Sequence, residues 1–201
     1  MKIAIATFDR FNEIDSFVAC HMLNRVSRPG WKAEIAAPTP GVTSMNGVTI
    51  QAQRPLEFVN EADVVLFGSG RATREIVEDD AIMNRMRLDP ERQLIASQCS
   101  GGLMLARLGL LKDIPACTDS GTRPYLEAAG AKVLDGPFYA QGNIASAGGC
   151  LSAQYLATWV IWRLLGKQAV RDALDYVVPV GQESEYIDRA LATVAPFMTA
   201  T

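Results

Sequence analysis

Leu94-Ile95-Ala96-Ser97-Gln98-Cys99-Ser100-Gly101-Gly102-Leu103-Met104-Leu105-Ala106 decides how the rest of the chain is read. An apolar run of strand length ends in small and polar residues, and a helix-forming run begins at once. A sharp strand-to-helix turn holds its apex residue in a strained backbone conformation and needs small neighbours. Ser100, Gly101 and Gly102 supply them directly after Cys99. The pattern predicts a nucleophile elbow with sulfur in place of oxygen. Its thiol is expected to point away from the core, where the dipole and free N–H groups of the following helix favour the thiolate.

Working outward, the 201 residues read as one domain spanning 1–201, with 49% hydrophobic content to fill a sizeable core. The net charge of −3 comes without a Lys/Arg cluster, which argues against a nucleic-acid-binding surface. No apolar run approaches the roughly 20 residues needed to span a membrane, and the apolar start at Met1–Thr7 reads as a strand. The cysteines, Cys20, Cys99, Cys117 and Cys150, lie far apart with no Cys-x-x-Cys pair. Neither a metal site nor a disulfide framework follows from that spacing, no cofactor is expected, and a reducing, cytoplasmic setting is the expectation.

Buried strands are predicted at Lys2–Thr7, Trp31–Ala37, Asp63–Phe67 and Leu94–Ser97, with another at Lys132–Leu134. Hairpins are predicted around Asn46-Gly47 and Gln141-Gly142-Asn143. Asn12 caps a helix from Glu13 to about Arg25; further helices are expected from the Gly68–Thr73 loop to about Arg87, over Gly101–Leu108, and over Arg123–Ala129. Leu151–Leu165 is apolar almost all round and belongs on the sheet or at a subunit contact. Ala169–Asp175 and Glu183–Ala195 complete the list. Alternation of strands and helices means a doubly wound α/β fold, mainly parallel, with helices on both faces.

Such sheets place their sites outside the carboxyl ends of the strands. Three strand ends carry suggestive chemistry: Asp9–Asp15, Gly68-Ser69-Gly70 and the elbow. A cysteine nucleophile needs a group that controls its proton and donors for developing negative charge. Asp15 is the candidate for the first, and the backbone N–H groups of Ser69, Gly70 and Ser100 for the second. Asp119 is either an N-cap for the segment leading to Arg123 or a pocket residue. His21, Cys20, Cys117 and Cys150 are read as packing residues, with Cys117 and Cys150 within range of the pocket.

Phe8-Asp9-Arg10-Phe11-Asn12-Glu13-Ile14-Asp15 resembles the first-loop acidic motif of the ThiJ/PfpI superfamily. The resemblance continues through Val64–Gly70, Gln98-Cys99-Ser100-Gly101, Leu108-Gly109-Leu110-Leu111 and Ser146-Ala147-Gly148-Gly149, covering Met1 to about Gly166. It implies a flavodoxin-like, class I glutamine amidotransferase-like fold, a homodimer, and a pocket that includes Gly148 and Gly149. The elbow with its downstream Gly-Leu-Leu is most similar to the isonitrile hydratase branch. There the resemblance implies that the cysteine attacks the isonitrile carbon to give a thioimidate, which water converts to an N-substituted formamide. Asp15 matches the acidic residue that hydrogen-bonds the cysteine.

Several positions depart from that pattern. Asp119 stands where a histidine is often found, and Gly68-Ser69-Gly70 replaces Pro-Gly-Gly. Val18-Ala19 replaces Gly-Pro, Gln98 is bulkier than usual, and Ser100 stands where the hydratase branch tends to have Thr. A Cys–His dyad is therefore not expected. Two functions follow: a Cys99 enzyme acting on a small electrophile, or a non-catalytic regulator whose Cys99 is oxidised.

Overall fold

The computed structural model describes residues 1–198. Apolar segments build a seven-stranded sheet from β1 (Lys2–Ala6), β2 (Lys32–Ala37), β5 (Arg54–Pro55), β6 (Val64–Phe67), β7 (Leu94–Gln98), β8 (Phe138–Gln141) and β9 (Ile144–Ala147). Its order is β5-β2-β1-β6-β7-β9-β8. Every neighbouring pair is parallel except β8–β9, the antiparallel hairpin at one edge. Strands β6 and β7 are buried along their whole length, as strands covered on both faces must be. The Asn46-Gly47 hairpin stands apart as β3 (Gly41–Thr43) and β4 (Thr49–Gln51).

Alternate residues of β1 feed two cores. Ile3 and Ile5 pack with α1 (Glu13–Leu23), α6 (Ala153–Leu165), α7 (Lys167–Asp175) and α8 (Glu183–Val194). Ala4 and Ala6 face the opposite side, with α2 (Thr73–Ile76), α3 (Asp80–Met83), α4 (Gly102–Arg107) and α5 (Arg123–Ala128). The doubly wound, mainly parallel fold is as expected. The apolar circumference of α6 is explained by packing within the chain, where Trp159, Val160 and Ile161 are fully buried.

Three local expectations fail for identifiable reasons. The single helix reaching Arg87 is two short ones, because the Asp79 carboxylate accepts from the N–H groups of Ala81 and Ile82 and starts a second helix. Lys132–Leu134 does not join the sheet; its backbone brackets Ala116 through Ala116 N–H to Lys132 O and Leu134 N–H to Ala116 O, both 2.9 Å. The place beside β7 is taken by β9. The first helix stops at Leu23, where the Asn24 side chain turns to exchange two 2.9 Å hydrogen bonds with the backbone of Ala33 on β2.

Between β7 and α4 the chain makes a single 3-10 turn, Cys99–Gly101. Gly101 is required by space: a Cβ there would sit 2.6 Å from Phe67 O and 2.7 Å from Gly68 O. Gly101→Ala is therefore expected to destabilise the fold by about 2–3 kcal/mol, since the obstacles are backbone and cannot swing aside. The measurement is the urea midpoint at unchanged m-value; a midpoint equal to that of the parent would contradict this packing.

Candidate active site

The carboxyl ends of the adjacent strands β1, β6, β7 and β9 all open on one cavity of about 380 Å³. Cys99 sits at the end of β7 with φ +47°, a left-handed conformation that few non-glycine residues adopt. Gln98 before it is still extended at φ −110°, ψ 131°, so the backbone reverses within one residue. The Cys99 carbonyl is held by the Thr118 hydroxyl at 2.9 Å. Strain at such a position costs of order 1–3 kcal/mol and persists because the surroundings fix it.

Asp15 arrives from the first turn of α1 and is 2% exposed. Its Oδ2 accepts from the Ser69 hydroxyl at 2.5 Å, while Oδ1 is buried with no hydrogen-bond partner among the described residues. A carboxylate oxygen of Asp15 and the sulfur atoms of Cys99 and Cys150 lie within 4.8 Å of one another. Cys99 is itself 4% exposed. Burial pushes the Cys99 thiol well above the usual thiol range, and the negative charge of Asp15 beside it adds to the rise. Cys150 is raised too, first by burial and then by Asp15.

Both effects oppose the expected stabilisation of a thiolate by the helix dipole. The helix that should have favoured it, α4, has six residues and follows a 3-10 turn, so its dipole is short. Desolvation and the adjacent Asp15 carboxylate both act against that dipole and push the Cys99 thiol up.

The other expected residues fall as follows. Ser69, Gly70, Ser100, Asp119 and Gly149 all line the cavity with Cys99. The Gly70 N–H already donates to Ser100 Oγ at 3.3 Å, and that hydroxyl pairs with Thr73 Oγ1 at 2.9 Å. Asp119 borders the cavity, and its Oδ1 accepts from Thr122 N–H at 3.0 Å in the turn that leads into α5, whose N-cap is Thr122 itself. Gly148 is not part of the lining; it lies against the backbone of Thr118, where a Cβ would meet Thr118 O at 2.5 Å. The chain's single histidine, His21, stacks loosely with Tyr176 at 6.5 Å, remote from the lining. Cys117 is buried, its thiol pushed up to about 11 by burial, and it does not line the cavity.

Cys150, expected as a packing residue within range of the pocket, is part of the site itself. It follows Gly149, whose φ of +85° turns the chain back toward the sheet, and the side chains of Asn12 and Gln98 fix it. Asn12, while capping α1 through Oδ1, donates from Nδ2 to Cys150 Sγ at 3.2 Å. Gln98 Nε2 reaches across from β7 to Gly149 O at 2.5 Å and lies 3.5 Å from Cys150 O. Its amide also lies 3.8 Å from Cys99 Sγ, so the bulk of Gln98 ties the two thiol-bearing loops together. The available signal was a cysteine directly after Gly-Gly at a strand end.

Comparison with known proteins fits this architecture. The model of the DJ-1/PfpI family matches residues 1–161. A deglycase of Pyrococcus abyssi is 25% identical over 150 residues, 73% of this chain and 89% of that protein. The deglycase PfpI of Pyrococcus furiosus is also 25% identical over 150 residues, with the same coverage. Among solved structures, Schizosaccharomyces pombe DJ-1 superposes with a TM-score of 0.76 at 16% identity, covering 89% of this chain and 100% of that one. Drosophila melanogaster DJ-1beta gives 0.76 at 20% identity over 87% and 96%. With most of its length matched by the family model and with the fold shared, the chain belongs to the DJ-1/PfpI family.

Proposed function

We propose that the protein is a cysteine-dependent enzyme for a small electrophile, with Cys99 as nucleophile and Asp15 as the group that takes and returns its proton. The observation carrying this reading is the buried thiol–carboxylate pair, with Asp15 anchored by Ser69 and with no imidazole on the cavity lining. Isonitrile hydration suits that pair. Asp15 takes the thiol proton as sulfur attacks the terminal isonitrile carbon, then delivers it to that carbon, giving a thioimidate. Water adds to the thioimidate carbon, and collapse expels Cys99 with its proton restored and releases the N-substituted formamide. The backbone N–H groups of Ser69, Gly70 and Ser100 are the donors proposed for charge that develops on the substrate, with Gly70 freed by a swing of the Ser100 hydroxyl.

The names of the Pyrococcus relatives favour a second reaction on the same site, a deglycase activity in which the Cys99 sulfur displaces the amine or thiol from the adduct carbon, the Cys99 proton passing through Asp15 to that leaving group, and water then releases the carbonyl product from Cys99. Redox sensing has less support, because Cys99 is only 4% exposed and oxidation follows exposure. The homodimer implied by the sequence resemblance is also proposed. Ile14 on α1 and Leu151 in the turn before α6 are large apolar side chains left 44% and 74% exposed beside each other's elements.

The test is product analysis with purified, reduced protein, offering an aryl isonitrile in one arm and an aldehyde–thiol adduct in the other. Formamide production at least about a thousandfold above buffer is expected from nucleophilic and proton-transfer catalysis together. Turnover of the adduct alone would move the assignment to the deglycase reaction. No turnover in either arm would overturn the enzymatic reading.

A further inference from the structure

We infer that Asp15, Cys99 and Cys150 form a three-ligand site for a thiophilic divalent cation, Zn²⁺ fitting best, with the fourth position open to the cavity. Two sulfurs and one carboxylate oxygen are a zinc donor set, whereas Mg²⁺ and Ca²⁺ demand oxygen shells. The spacing is close to what tetrahedral zinc needs. Zn–S bonds of about 2.3 Å put two ligating sulfurs about 3.8 Å apart. No edge of the present triangle exceeds 4.8 Å, so the closure needed is at most about 1 Å between the sulfurs and about 1.3 Å between a sulfur and the carboxylate oxygen.

A second observation points the same way. Asp15 Oδ1 is a carboxylate oxygen on a residue 98% buried, and it has no hydrogen-bond partner among the described residues. An unpaired buried carboxylate oxygen is costly, and a cation is one way to satisfy it. The ligands also carry the outer hydrogen bonds that metal sites use for orientation: Ser69 on Asp15, Asn12 on Cys150, and Gln98 joining the loops of the two cysteines. Charge balance is favourable. Binding replaces the two thiol protons by one Zn²⁺, so the net charge of the buried cluster is unchanged.

The site stands independently of the catalytic reading. One consequence does rest on that reading: zinc ties up both the Cys99 sulfur and the Asp15 carboxylate, so occupancy silences the reaction proposed above.

Cobalt(II) reports the site directly. Reduced, metal-free protein titrated with Co²⁺ is expected to develop sulfur-to-cobalt charge-transfer absorption and intense visible bands of tetrahedral coordination, saturating at one ion per chain and displaced by Zn²⁺. Cys150→Ala should lose about half of the charge-transfer intensity and bind at least about a hundredfold more weakly. Asp15→Asn should weaken binding at least about tenfold while retaining the sulfur bands. Cys117→Ala, outside the site, should titrate like the parent. Absence of sulfur-to-cobalt absorption in the parent protein overturns the proposal, as does a Cys150→Ala spectrum equal to the parent's. Formamide production by the metal-free protein is scored separately, so the two readings fail independently.

Discussion

Asp15→Asn is expected to move two reactions of Cys99 in opposite directions. Iodoacetamide alkylation needs only thiolate. Removing the Asp15 charge removes one of the two main causes that hold the Cys99 thiol up, so at pH 8 alkylation should speed up about tenfold for each unit by which the thiol falls. Isonitrile hydration needs a proton delivered to carbon as well as a nucleophile, and asparagine cannot shuttle it. Turnover should drop about a hundred- to ten-thousandfold. The sign in pH follows from the same pair. In the parent protein a thiol displaced upward stays mostly protonated at neutral pH, so alkylation climbs steadily through the alkaline range, and the Asp15→Asn climb begins at lower pH. Equal losses in both reactions would mean that Asp15 only supports the fold. Isothermal melting in urea, run alongside, separates that case.

Cys99→Ala carries the second large effect. Without the sulfur no covalent intermediate forms, and formamide production should fall to the uncatalysed level, a loss of at least about a thousandfold. The same position gives an unusual stability comparison. At φ +47° an alanine keeps the Cβ clash that glycine lacks, so Cys99→Gly should be more stable than Cys99→Ala by about 1 kcal/mol. The usual ranking, in which glycine is the less stable, would show that the left-handed apex is not strained. A site that trades stability for geometry should behave in this inverted way.

Much of the fold was legible because the signals were local. Unbroken apolar runs gave β1, β6 and β7, Asn12 marked the start of α1, and the Ser-Gly-Gly after Cys99 marked the elbow. Lys132–Leu134 misled because apolar, β-prone composition says nothing about which neighbour a strand pairs with; here β9 fills the place beside β7. The break at Asp79 was visible only as one side chain choosing to cap rather than to stay exposed. At the site, Asp15 and Ser69 followed from strand ends. Cys150 was legible only as a packing residue within range of the pocket, since 50 residues lie between it and Cys99 and the parallel β7–β9 pairing and the Gln98 amide bring it over. The surroundings of Cys99 were likewise inaccessible: the sequence shows the helix after the elbow but not how deeply the thiol is buried or how near Asp15 comes.

Rapid-quench intact-mass analysis of the metal-free protein with an aryl isonitrile is the sharpest check that Cys99 is the nucleophile. A transient species heavier by the mass of one isonitrile is expected, mapped to Cys99, decaying as formamide appears and absent in Cys99→Ala. Formamide formed at the parent rate by Cys99→Ala, or an adduct found only on another residue, would contradict it.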